Sequence, residues 1–180
     1  MKKILIIVFA LLCVNATAQV QTKFWGLEFS KRYTSLVEAK EIIADRCSSA
    51  KIEGTDISAS RGTFGGYDWN FIDFSFQKGY YSYALYFVHF SSYHSTHESA
   101  KNKFESLLRA LTNKYGTPYN GNDDYENTSW LWSEQDAPIS CVLSLIRGES
   151  KGGNIYWYVD LSYYDKDLLN QSVQQDEDEL

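Results

Sequence analysis

Apolar residues recur at two spacings along this chain, and the switching between them predicts its elements. Leu36, Ala39, Ile43 and Cys47 fall at i, i+3, i+7 and i+11, a single helical stripe. Ser35-Leu36-Val37-Glu38 opens it as a capping box: Ser35 can accept from an orphan N–H while Glu38 reaches back. The chemistry returns at Ser95-Thr96-His97-Glu98. Behind it, Ala100, Phe104, Leu107, Leu108, Leu111 and Tyr115 keep helical spacing until Gly116 and Pro118 close the element.

After each helix the period drops to two, with β-branched and aromatic residues between turn residues. Following the first helix, strands are expected over Lys51–Ser58, Trp69–Gln77 and Tyr81–Ser91, with a loop through Gly62, Gly65 and Gly66 and a turn at Lys78-Gly79. Following the second, they are expected over Ser129–Ser133, Ile139–Ile146 and Ile155–Tyr164, with Lys151-Gly152-Gly153-Asn154 turning the last hairpin. The order helix–strand–strand–strand thus occurs twice, over about 24–92 and 93–168, although few identities survive between the halves. The expected fold is α+β: a curved, mainly antiparallel sheet of about six to seven strands with both helices packed on one face. The last ten residues end in Asp-Glu-Asp-Glu-Leu, so 169–180 reads as an acidic, disordered tail.

The first residues follow neither period. Lys2 and Lys3 precede an apolar run, Ile4 to Val14, too short to span a bilayer, and Ala16-Thr17-Ala18 offers small residues for cleavage. Residues 1–18 therefore read as a signal peptide, leaving a single domain over 19–168 that is exported to the periplasm or the cell exterior. Loss of the two lysines takes the formal net charge from −6 to −8. An acidic surface argues against nucleic acid and anionic lipid as partners, and no later segment is apolar for long enough to enter a membrane. In an oxidising compartment Cys47 and Cys141 could close a disulfide, since both stripes point toward the helix-facing layer; two buried free thiols are the alternative.

One resemblance accompanies this pattern. Phe24-Trp25-Gly26-Leu27 before the first helix, and Leu111-Thr112-Asn113-Lys114-Tyr115-Gly116-Thr117-Pro118 closing the second, resemble the punctuation of small secreted α+β domains of Gram-negative anaerobic bacteria. The tandem of a helix and three strands is similar to the β-lactamase inhibitor protein fold. The resemblance implies a fold and a binding role and transfers no site residue.

Aromatic residues carry the candidate chemistry, with 14 Tyr, 10 Phe and 5 Trp in 180 residues. By the two-residue repeat, Tyr156, Tyr158 and Tyr164 share a face with Asp160, and Trp69 and Phe71 share one with Asp73. On a sheet roofed on one side these residues lie on the bare side, where rings with polar handles suit recognition of a protein, peptide or glycan. The bland alternative is cross-strand pairing that only stabilises the sheet. Asp73 and Asp160 could form the carboxylate pair of a small hydrolase, but separation decides that chemistry. A structural subunit of an envelope complex is the third class.

Other candidates are weaker. His89, His94 and His97 beside Glu98 lack the i, i+4 pair of a helical zinc site, and a solvated helix start explains them better. Asn120, Asn122, Asp123, Asp124 and Glu126 lack the spacing of a calcium loop and suit turns. Neither a metal nor a cofactor is expected, and no nucleophile motif is present.

Overall fold

The structure is a computed structural model that describes residues 19–29, 31–124, 126–133 and 138–178. The expected signal peptide, 1–18, lies outside the described residues. A short hairpin comes first, β1 (Lys23–Phe24) with β2 (Leu27–Glu28), then β3 (Arg32–Tyr33) and α1 (Leu36–Ala44). Four strands follow: β4 (Cys47–Glu53), β5 (Asp56–Phe64), β6 (Tyr67–Lys78) and β7 (Tyr83–His94). Then come α2 (His97–Tyr115), β8 (Asn120–Asp123), β9 (Asn127–Trp132), β10 (Ile139–Glu149), β11 (Ile155–Asp165) and α3 (Lys166–Asp178).

The fold is α+β, as the two periods require. Nine strands make an open antiparallel sheet in the order β4-β5-β6-β7-β11-β10-β9-β8, with β3 alongside β7. The order reads the same from either edge: a helix and four strands, twice, joined where β7 pairs antiparallel with β11. The expected three strands per half become four for a local reason in the first half. Lys51–Ser58 is two strands, folded back at Gly54-Thr55, where Glu53 faces Asp56 and Gly54 takes φ +66°. β-branched Ile52 and Ile57 flank the turn on either side, so the sequence there has the look of one strand. Gly62 lies inside β5 and only Gly65-Gly66 forms the next turn.

Most of each expected helix stripe is buried, with Leu108 and Tyr115 half-buried and Cys47 beyond the end of its helix. Leu36, Ala39 and Ile43 sink from α1, and Ala100, Phe104, Leu107 and Leu111 from α2. Ser35 Oγ accepts from Glu38 N at 3.3 Å, and Gly116 N donates to Thr112 O at 2.9 Å. The α2 cap is Thr96, accepting from Ser99 N, one residue later than the pattern placed it. Helix α1 packs on β4 and β5, while α2 packs on β10, β11 and β7. They cover the face bearing Ile57, Ile72, Phe74, Val88, Phe90, Val159, Leu161, Cys141 and Leu143, all buried. The leading Phe24-Trp25-Gly26-Leu27 packs there too: Phe24 lies 4.8 Å from Tyr163 and 5.2 Å from Phe29, ring centre to ring centre. Much of the aromatic excess is core.

Two expectations need correction. Of the tail expected to be disordered over 169–180, residues 169–178 continue the chain as part of α3, and 179–180 lie outside the described residues. Its start is capped by Asp165, whose Oδ1 accepts from Asp167 N and Leu168 N, both at 3.1 Å. Acidic composition drew attention to the end of this segment, while the signal sat at its beginning. The disulfide is not formed, and Cys47 and Cys141 are both free. Helix α1 ends at Ala44, so Cys47 opens edge strand β4, while Cys141 sits on β10. Five inter-strand steps separate those strands, on the order of 20 Å, whereas a disulfide needs Cα atoms within about 7 Å. Among the described residues, no helix is long and apolar enough to cross a membrane.

Candidate functional site

The second face of the sheet is built by the residues that alternate with the core positions. Two rows cross its centre. Ser58, Asp73, His89, Ser162 and Val142 stand abreast on β5, β6, β7, β11 and β10. Beside them run Ser60, Phe71, Ser91, Asp160 and Ser144 in the same strand order. Tyr93 faces Tyr158 on the next row, and Tyr156 faces Gly148. The serines form a low floor, and the larger side chains rise around them.

Tyr93, Tyr156 and Tyr158 form one cluster, with ring centres 5.6 Å, 6.0 Å and 5.3 Å apart. A Cβ on Gly148 would come within 2.1 Å of Tyr156 Cε2, so the glycine is what lets that ring lie down across the neighbouring strand. Tyr93 is 48 % exposed and Phe71 is 53 % exposed. Burial, then the neighbouring Tyr156 and Asp160, raise the Tyr158 phenol, which stays neutral and able to donate.

Next to the rings lies a charged bridge. His89 Nδ1 is 3.7 Å from Asp73 Oδ2, and His89 Nε2 is 3.5 Å from Asp160 Oδ1. These are ion-pair distances at the outer limit of hydrogen bonding, and Asp160 Oδ1 is buried with no hydrogen-bond donor on it among the described residues. Burial opposes the imidazolium, but Asp160 and Asp73 outweigh it and hold the His89 pKa up to about 9. Burial likewise opposes the Asp73 carboxylate, yet His89 and the Ser58 hydroxyl, 2.7 Å away, bring its pKa below the ordinary value. At neutral pH the bridge therefore holds a cation between two anions.

Phe71, Asp73, Tyr156, Tyr158 and Asp160 are thus brought together as expected on one face. Tyr164 shares the face but stands beyond Ser162, opposite Phe87. Trp69 does not belong with them. It is 2 % exposed on the helix side, against Phe90, with Lys103 Nζ lying 4.1 Å from its ring centre. The two-residue repeat fails between Trp69 and Phe71 because the chain is irregular there: Arg61, on the facing strand, takes φ +52°.

His89 and Tyr93 were missed as partners, although Phe87, His89, Ser91 and Tyr93 alternate with Val88, Phe90 and Ser92 along β7. The three histidines separate. His94 bonds Ser92 Oγ and Ser99 Oγ at 3.0 Å and 2.9 Å, and the His97 ring packs at a tilt on Trp157, 4.3 Å between centres, both on the helix side. Among the described residues no group of three or more His, Cys, Asp or Glu could hold a metal ion. The acidic stretch is largely strand β8, paired with β9; beyond it Asp124 Oδ1 accepts from Glu126 N, and Asn122 Nδ2 donates to Asn127 O.

Fold and face together define an open-sheet α+β protein with one roofed side and one ring-bearing side. No protein-family model, no curated protein and no solved structure matches the chain.

Proposed function

We propose that this chain is an exported, non-enzymatic binding domain of the periplasm or cell exterior, recognising its ligand through the ring-bearing face of the sheet. One observation carries the reading: Tyr93, Tyr156 and Tyr158 contact one another beside exposed Phe71 and the Asp73–His89–Asp160 bridge. Large rings fixed by their neighbours offer contact area at low entropic cost, and the adjoining charges set orientation. The ligand classes this serves are protein, peptide and glycan. Kinship with small secreted domains of the β-lactamase inhibitor protein type is part of the same proposal and rests on the motif pattern alone.

A carboxylate-pair hydrolase is disfavoured by His89. Its ring fills the gap between Asp73 and Asp160, where a scissile bond or a water would have to sit. The test is binding to combined peptide and glycan arrays by the purified protein and by a Tyr156→Ala/Tyr158→Ala variant. Loss of the array signal with an unchanged melting curve is expected. An identical binding pattern in the variant would contradict the reading.

A further inference from the structure

Beside the rings, where β4, β5 and β6 meet, the face sinks into a depression of about 450 Å³ lined by Ser48, Ser49, Ser60, Arg61, Asn70 and Phe71. Taking the open face as a recognition surface, we infer that this depression binds a carboxylate-bearing oligosaccharide. Its acid group meets Arg61, a sugar ring lies on Phe71, and sugar hydroxyls meet Asn70, Ser49 and Ser60. The proposal rests on the functional reading above and narrows it to one class of ligand.

The lining contains three hydroxyls, an amide, a guanidinium and one ring, and most of the surface it presents is carbon. A sugar matches that mixture: its C–H faces can lie on the carbon surface while its hydroxyls pair the polar groups, which an acyl chain would leave unpaired. Asn70 is already oriented. Its Oδ1 accepts from Tyr93 N at 2.9 Å, and a backbone N–H can only donate, so the amide nitrogen is turned away from Tyr93. Ser49 and Ser60 hydroxyls lie 2.8 Å apart, one donating to the other, which leaves further capacity on each. Phe71 shows more than half of its surface, a flat apolar plate suited to the C–H face of a pyranose ring.

Arg61 selects the acid. It is one of two non-glycine residues with positive φ among those described, a conformation that disfavours any side chain with a Cβ. Ser48 Oγ donates to its carbonyl at 3.5 Å. Its exposed guanidinium enters no ion pair or hydrogen bond among the described residues, although the chain has 23 acidic residues to 17 basic. Arg147, by contrast, lies between Glu126 and Glu149. Asp68 lines an adjoining depression together with Arg61, but its Oδ1 accepts from Thr63 Oγ1 at 2.8 Å and it forms no ion pair with Arg61 among the described residues. An unpaired, fork-shaped cation is one that a planar carboxylate satisfies with two parallel hydrogen bonds.

The test is titration of the purified protein with trigalacturonate, with its methyl ester, and with a neutral trisaccharide, followed by NMR shifts and calorimetry. The acid is expected to shift Ser49, Ser60, Arg61, Asn70 and Phe71. The ester, and the Arg61→Gln and Phe71→Ala variants, are each expected to bind at least about tenfold more weakly. Equal affinity for acid and ester overturns the inference without requiring any variant to fold. So does the absence of shifts in these residues at millimolar trigalacturonate. In either case the ring-bearing face still stands or falls separately, on the array signal of the Tyr156→Ala/Tyr158→Ala protein.

Discussion

Arg61 and His89 show how single residues set the properties of this face. Replacing Arg61 by glycine removes left-handed strain of about 1–2 kcal/mol and adds unfolded-chain freedom of about 0.5–1 kcal/mol. The Arg61→Gly protein is therefore expected to be more stable by about 0.5–1 kcal/mol in urea unfolding while losing the guanidinium. A destabilised variant would mean that Arg61 holds the hairpin through contacts of its side chain. For His89, the folded-state pKa of about 9 stands above the ordinary 6.5. Its contribution to stability is fully present below the unfolded value and fades as pH rises through the folded one. Lys103 acts oppositely: burial lowers its pKa to about 8, so folding gains as that amine neutralises. Comparing wild type with His89→Gln isolates the histidine. The stability difference between them should shrink steadily from pH 6.5 to above pH 9. A constant difference would show that the bridge carries no net charge pairing.

Elements were legible in the sequence where a period and a cap agreed. Ser35, Gly116 and both largely buried helix stripes follow from residue spacing, because capping and amphipathicity are local. Trp69 was not legible, since its side is decided by an irregularity whose cause, Arg61, sits on the facing strand. The pairing of His89 with Asp73 required knowing strand register, which no local pattern supplies. Helix α3 was missed although its cap was visible as Asp165, two and three residues before the donors it serves. Asp165→Ala should cost about 1 kcal/mol or more, the usual range for a lost cap, with a fall in helical circular dichroism. Unchanged helicity would place the stability of α3 in its contacts with β7 and β11.

For the molecule as a whole, the governing feature is the palindromic strand order with its helices on one side. That order puts Cys47 on one edge strand and Cys141 well inside the opposite half, which is why a thiol pair that looked convergent in sequence is far apart. Burial raises the Cys141 thiol to about 12. In the native protein Cys141 should resist maleimide, while in denaturant Cys47 and Cys141 should each react fully without reductant; incomplete labelling of these two would reveal an oxidised pair. The same order leaves the second face with its rings accessible, and every functional statement depends on that asymmetry. Hydroxyl-radical footprinting measures it directly, each residue's oxidation being scaled to that of the unfolded chain. Phe71 and Tyr93 should oxidise nearly as fast as in the unfolded chain, while Trp69, Tyr33 and Tyr163 stay strongly protected. Protection of Phe71 and Tyr93 equal to that of Trp69 would contradict the account.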